Sequence, residues 1–521
     1  MMRVCFLAAA FLLTVVGVAD AAPVTRTHGG PVRGVVSDGV EAYLGVPFAA
    51  PPLGALRWRP PAPSPSWRKV RDVTRFAPAC PQRGVSMPGE PPPRTSEDCL
   101  YLNVWTPQRS GRKPLPVIVW IHGGGYVNGA TSLPLYDGGR LARRGAVVVS
   151  VAYRLGPLGW LAHPELTTES GGHGSGDYGL MDQIAALEWV RRNIAAFDGD
   201  PGRVTIAGQS AGGMSVSLLM ASPEAKGLFH RAIAQSGGVF EPLQIAPQYS
   251  QAGAEREGAD YAASLGADTI AKLRALPVER LLEGRKAQAI NHPVVGPSVL
   301  PLSPYQAYAA GRHNPAPILV GFNAEEALSL TDLSRVRAAT FRQDLAKAFG
   351  PLPPAILDAY PYSDNAQARR ARADLERDLR FGWDMWTWAR LQQARGGAVY
   401  VYRFDRRPPF PEGLRGGWGA GHFAELWYMF DQLDQEPWAW TRADRDLAHA
   451  MAGYWVNFAA TGDPNGEGLP SWPRFTDEAG PILSLGDSIS PTELRLDALR
   501  AFDAAYDGVR RAPISSAVAP R

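Results

Sequence analysis

The 521-residue chain is poor in cysteine, in net charge and in long apolar stretches, and each shortage excludes something. Three cysteines cannot make a disulfide framework, and a chain of this length needs none, because its surface-to-volume ratio lets it bury a large core. With 53 Lys+Arg against 50 Asp+Glu the formal charge is +3, which leaves no footprint for nucleic acid or an anionic membrane. The one basic cluster, Arg369, Arg370 and Arg372, is interleaved downstream with Asp374, Glu376 and Asp378, and that mixture reads as a solvated helix face. Past the first residues no stretch approaches the roughly 20 apolar residues of a membrane span. The nine histidines are scattered and none has the HExxH spacing, so no metal site is expected and no cofactor is implied. A fixed-period repeat and a Ser/Gly linker are also missing, which argues against a string of small domains. Hydrophobic residues at 45% exclude a disordered chain, and the 55 glycines and 47 prolines point to many ordered loops.

The first residues read as a processing signal. Met1 to Arg3 give a short positive start, residues 4–18 are apolar, and Ala19-Asp20-Ala21 offers a small-x-small cleavage site. We therefore expect residues 1–21 to be a cleaved signal peptide, residues 22–511 to form a single catalytic domain, and residues 512–521 to be a disordered tail. The protein would be secreted or periplasmic. Cleavage removes Cys5 and leaves Cys80 and Cys99, which in an oxidising compartment can pair in only one way. Closing that loop is worth about 3 kcal/mol on the chain-entropy estimate.

Apolar β-branched runs at residues 117–121, 147–151, 204–207, 318–322 and 399–404 are bounded by turn residues and suit strands buried on both faces. Between them Leu180, Ile184, Leu187, Val190 and Ile194 form one apolar helical stripe. Strand, helix, strand order implies an α/β fold with a mostly parallel sheet flanked by helices. Trp383, Trp386 and Trp388 have helical spacing and read as core, with a cavity lining as the alternative.

The chemistry gathers at strand ends. The run 204–207 passes directly into Gly208-Gln209-Ser210-Ala211-Gly212 and then a helical stretch, which is the G-x-S-x-G nucleophile elbow in its strand-to-helix context. The turn holds the serine in strained backbone geometry, so the residues two before and two after it must be small. The following helix aims its positive end where oxyanion charge develops. His122-Gly123-Gly124-Gly125 follows an earlier strand and leaves N–H groups unobstructed, as an oxyanion hole requires. A phosphate loop would want Lys and Ser/Thr next, where this chain has Tyr126-Val127-Asn128. In this arrangement the triad runs Ser, acid, His along the chain. The acid is Glu325 or Glu326, just past the strand at 318–322. For the base, His449 lies in a helix-like run, whereas His422 follows Gly419-Ala420-Gly421 in a loop and can reach a site.

These residues resemble those of the type-B carboxylesterases, the carboxylesterase/cholinesterase-like α/β-hydrolases. The matching motifs span Tyr43 to about Phe475. They include Gly45-Val46-Pro47-Phe48-Ala49, Glu97-Asp98-Cys99-Leu100-Tyr101-Leu102-Asn103, Gly179-Leu180-Met181-Asp182-Gln183 and Phe197-Asp198-Gly199-Asp200-Pro201. The serine elbow, Asn323 to Glu326 and Thr461-Gly462-Asp463-Pro464 complete the series. The resemblance implies an α/β-hydrolase fold with long loop and helical insertions forming a gorge. It implies a Ser210–Glu326–His422 triad acting by two-step acyl transfer, with an oxyanion hole from Gly124, Gly125 and Ala211. It also implies Ser236, Glu425 and Gln209 as supporting residues around the triad, Ser236 helping to hold the acid, and a Cys80–Cys99 bridge matching the family's first disulfide.

Departures from the family pattern narrow the expectation. Gln209 stands where cholinesterases carry Glu, Ala327 replaces the glycine that usually follows the acid, and residues 81–98 contain no Phe, Trp or Tyr, which argues against choline esters. The substrate is expected to be a small to medium neutral or hydrophobic ester, with a bulky polyester or fumonisin-type mycotoxin ester as the alternative. An amidase would use the same triad. A non-catalytic adhesion module on this fold would lose the nucleophile or base, and this chain keeps both. Oligomeric state is not legible.

Overall fold

A computed structural model describes residues 22–84, 87, 90–108, 113–413 and 417–511. The expected signal peptide at 1–21 and the expected tail at 512–521 lie outside the described residues. Eleven strands form one sheet: β1 (Val35–Ser37), β2 (Val40–Pro47), β3 (Tyr101–Pro107), β4 (Leu115–Ile121), β5 (Val147–Val151), β6 (Gly199–Gln209), β7 (Arg231–Gln235), β8 (Ile318–Asn323), β9 (Val399–Phe404), β10 (Ile482–Leu485) and β11 (Ile489–Thr492). Their order is β11-β10-β9-β8-β7-β6-β4-β5-β3-β2-β1. The strands from β5 through β10 pair in parallel and the two margins pair antiparallel. A shorter sheet joins Val24–Arg26, Pro31–Arg33 and Arg71–Asp72.

The helices that position the site are α1 (Tyr178–Asn193), α2 (Ala211–Ala221), α3 (Asn365–Arg377), α4 (Trp383–Ala394), α5 (Arg442–Thr461) and α6 (Leu496–Arg511). All five predicted strands and the predicted stripe helix are present, and the sheet continues past residue 404 to Thr492. The central strands are apolar on both sides because both faces are covered. Val117, Val119 and Ile121 point into one core, and Ile118 and Trp120 into the other. No helix among the described residues is long and apolar enough to cross a membrane.

Cys80 and Cys99 are joined, with Sγ atoms 2.04 Å apart. The charged run on α3 is a solvated face only in part: Arg370 is exposed, but Asp374, Glu376 and Asp378 downstream are not. Glu376 is fully buried and accepts from Arg372 Nε at 2.5 Å and Thr331 Oγ1 at 2.6 Å, and Asp378 is buried against Arg377. This side of α3 packs on the segment that follows β8, so its charges answer one another in place of water. All three tryptophans are core, with the Trp386 and Trp388 N–H groups donating to Glu478 O and Tyr308 Oη, and Trp383 also lines a cavity.

Because the strands are parallel, their C-terminal ends share one edge. β4, β6, β7, β8 and β9 deliver onto it the glycine loop, Ser210, Ser236, Glu326 and the segment bearing His422. The chain reverses direction across the sheet between β5 and β6, crossing β4, and a crevice opens at such a switch point.

Candidate active site

Ser210 sits in the turn between β6 and α2 with φ +56° and ψ −125°, a region L-residues seldom occupy. Its N–H donates to Gln235 O at 2.8 Å, and its carbonyl accepts from Met214 N at 2.9 Å. The flanking glycines are sterically required. A Cβ on Gly208 would lie 2.4 Å from the Gly212 carbonyl, and one on Gly212 would lie 2.0 Å from Ile121 O. The elbow therefore closes directly on the end of β4, which brings the glycine loop to the serine.

That loop is fixed by His122, whose ring stacks on Tyr153 at 4.5 Å while Tyr153 Oη donates to its carbonyl at 2.7 Å. Burial pushes His122 down to about 4, so it is a neutral wedge and not a second base. Gly124 and Gly125 take φ +105° and +60°. Among the described residues the N–H groups of Gly124, Gly125 and Ala211 meet no acceptor, which leaves three donors unspent next to Ser210.

Glu326 and His422 form the other part of the site. His422 Nδ1 lies 2.6 Å from Glu326 Oε2, and both side chains are buried. Asn323 N donates to Glu326 Oε1 at 2.8 Å, so the carboxylate is held at both oxygens. With Nδ1–H donated to Glu326, His422 Nε2 carries the lone pair, and Gln209 Nε2 lies 3.2 Å from it. No hydrogen bond joins Ser210 to His422 in this state. The amide of Gln209, the residue just before Ser210, occupies the imidazole instead. Gln209 Oε1 is buried with no partner among the described residues.

The neighbouring Glu325 has a different task. It accepts from Arg407 Nε at 2.8 Å and Ala420 N at 2.9 Å, pinning the loop that carries His422. Glu425 accepts from Asn323 Nδ2 at 2.6 Å and Gln235 Nε2 at 3.2 Å. Burial, and then the negative charge of Glu326, push Glu425 up to about 7. The resemblance implies that Ser236 holds the acid. Here the buried Ser236 hydroxyl meets no partner among the described residues, and Asn323 N holds Glu326 instead. His449 is exposed on α5 beside Arg144, away from the site.

One contact carried no sequence signal. Between α3 and α4 the chain makes a π-helical turn, Asp378–Gly382, and Phe381 in it stacks on His422 with ring centroids 4.8 Å apart and planes 15° apart. Phe381 thus sits on the π turn against the His422 imidazole. Phe381 also lines a cavity of about 370 Å³ together with Met214 of α2. A larger cavity of about 530 Å³ between Trp58, Tyr178 and Glu188 contains none of the residues above.

A model of the carboxylesterase family matches residues 21–501. The chain is 37% identical to the fumonisin B1 esterase of Sphingopyxis macrogoltabida, over 90% of this chain and 87% of that protein. It is 36% identical to the para-nitrobenzyl esterase of Bacillus subtilis (strain 168), over 90% and 95%. A solved structure of a PNB esterase superposes with a TM-score of 0.79 at 34% identity, covering 92% of this chain and 100% of that one. The fold is that of an α/β-hydrolase. Together with the elbow and the glycine loop on one sheet edge, these matches place the chain in the carboxylesterase family, as a hydrolase of carboxylic esters.

Proposed function

We propose that Ser210, His422 and Glu326 hydrolyse the ester by two-step acyl transfer. The observation that carries this is the 2.6 Å contact of His422 Nδ1 with a buried, doubly held Glu326. It leaves the lone pair of Nε2 for the proton of Ser210. Substrate entering the cleft displaces the Gln209 amide, and Ser210 Oγ attacks the carbonyl carbon while its proton passes to His422 Nε2. The unspent N–H groups of Gly124, Gly125 and Ala211 receive the oxyanion, each worth about 2.7–4 kcal/mol of barrier where such donors have been removed. His422 then gives its proton to the departing alkoxide, and the alcohol leaves. Water attacks the acyl-enzyme through the same base, and Ser210 is restored.

The relatives' names refer to different esters, so they support the bond that is cleaved more than the substrate. Apolar residues on the triad side, Met214, Leu379 and Phe381, suit the hydrophobic part of a small to medium ester. Ser210→Ala is expected to lower kcat on a nitrophenyl ester by about 10⁴-fold or more, with an unchanged melting temperature. Retention of most activity would falsify the assignment.

A further inference from the structure

The cavity that shares Phe381 with the triad holds two carboxyl groups for which the ester mechanism has no use. Glu241 lies in the loop that follows Ser236 at the end of β7, and Asp384 lies on the first turn of α4. Both line the cavity. They are neighbours, since Asp384 Oδ1 accepts from Phe240 N at 3.2 Å. Neither forms an ion pair among the described residues.

The cations nearby are already engaged. Arg380, at the cavity wall, is held by Glu376 Oε2 at 3.1 Å. Arg510 of α6 donates to Phe240 O at 3.0 Å, pairs with Asp507 at 3.1 Å and lies 3.4 Å above the Tyr305 ring. The groups of the cavity left without an ion-pair partner among the described residues are therefore the two carboxyls. Four aromatic side chains, Tyr249, Phe381, Trp383 and Tyr506, share the cavity lining with aliphatic Met214, Ile245 and Leu379. Trp383 is 1% exposed, and its indole N–H meets no acceptor among the described residues, so the wall also keeps a donor in reserve. Acceptor carboxyls inside aromatic faces are the chemistry that recognises an ammonium group. A metal ion would want more ligands, and no group of three His, Cys, Asp or Glu among the described residues could hold one.

We propose that this cavity is a subsite for an alkylammonium group carried by the ester substrate, bound by Glu241 and Asp384 within the aromatic walls. The proposal rests on the ester-hydrolase reading and refines it, because sequence alone points to neutral esters. The aromatic surface missing from residues 81–98 is supplied here from the π turn and α4. Burial holds both carboxyls above the usual carboxylate range, and the charge of Glu241 adds to the effect at Asp384. The groups facing them are Tyr249, Tyr506, Arg510 and Arg380, of which Tyr249 and Arg510 act in the opposite direction. An arriving ammonium supplies the missing positive charge, so the pair ionises and releases a proton to solvent.

The test compares matched esters: butanoates of a dimethylaminoalkyl alcohol and of the branched alkyl alcohol in which CH replaces the ammonium N–H, and nitrophenyl esters of the two corresponding acids. On at least one side of the ester bond, wild-type kcat/KM is expected to favour the ammonium member by about tenfold, as a charge-assisted hydrogen bond would give. In Glu241→Gln with Asp384→Asn the ratio falls to near unity, while the neutral ester keeps its kcat/KM within about twofold. Equal rates for both members in wild type, or an unchanged ratio in the variant, overturn the proposal. Should the variant fold poorly, calorimetry of dimethylbutylammonium binding to the Ser210→Ala protein decides instead. Saturable binding whose enthalpy changes with the buffer's ionisation enthalpy supports the subsite, and no binding overturns it. Since this arm needs no turnover, it separates failure of the subsite from failure of the hydrolase reading, which neutral-ester turnover reports on its own.

Discussion

Around Ser210 the chain is held by the absence of side-chain atoms. Gly208 and Gly212 touch backbone at distances that would put a Cβ 2.4 Å and 2.0 Å from its neighbours, and the contacts join strand ends and turns of the same sheet edge. Around His422 the chain is held by polar atoms brought from far apart. Glu326 and His422 are separated by 96 positions, Asn323 and Glu425 by 102, and Gln235 reaches both Glu425 and Trp455 across 190 and 220. A steric constraint leaves a mark at each residue that obeys it. A hydrogen-bond network leaves only common polar letters at distant places, which is why the first part of the site reads as a motif and the second does not.

Exchanging the two glutamates breaks this comparison with the largest effect. Glu326→Gln keeps the volume but removes the charge that orients and stabilises the imidazolium, and kcat should fall by about 10⁴-fold. Glu325→Gln only weakens the tether to Arg407 and Ala420 N, and kcat should fall by less than about tenfold. Steady-state kinetics of both variants on one nitrophenyl ester provides the check, and equal losses would erase the distinction drawn between them.

The steric part is tested by Gly212→Val. Its side chain has no room against Ile121 O, and the loss should be about 3 kcal/mol or more in denaturant unfolding, or no soluble protein at all. A variant of wild-type stability would show that the elbow is looser than the contacts imply.

A smaller and pH-dependent effect probes the network. Glu425 is raised to about 7 by burial and by Glu326, so its neutral form stabilises the fold. That contribution is complete below the ordinary carboxyl range and is lost as the pH rises through about 7, a change on the order of 3 kcal/mol. Glu425→Gln lacks this dependence. The stability of wild type relative to Glu425→Gln should therefore shrink between about pH 5 and pH 8 in paired thermal melts. A gap that widens with pH would mean that Glu425 is charged in the fold.

Much of this was legible beforehand. The strand runs and the stripe of α1 followed from period-two and period-3.6 patterning. The strained turn at Ser210 followed from its glycines, and the 80–99 disulfide from simple counting once Cys5 was assigned to the expected leader. The choice of Glu326 over Glu325 came only through family resemblance, because both lie past the same strand. In the structure the two have different partners, Glu325 engaging Arg407 and Ala420 N and Glu326 engaging His422. Three features gave no signal. The π turn at 378–382 falls between two stretches that each read as helical, and nothing in their patterning marks it. The buried charges of α3 look like any exposed salt-bridge series until the segment after β8 covers them. The Gln209 contact with His422 depends on a loop 213 positions away.

The account stands or falls on an acyl group carried by Ser210 and delivered through His422. Intact-protein mass spectrometry after rapid mixing with a nitrophenyl ester and acid quenching, followed by peptide mapping, measures this directly. One acyl adduct on Ser210 is expected in wild type, with none in His422→Ala. An adduct on another residue, or acylation of Ser210 at the wild-type rate without His422, would contradict it.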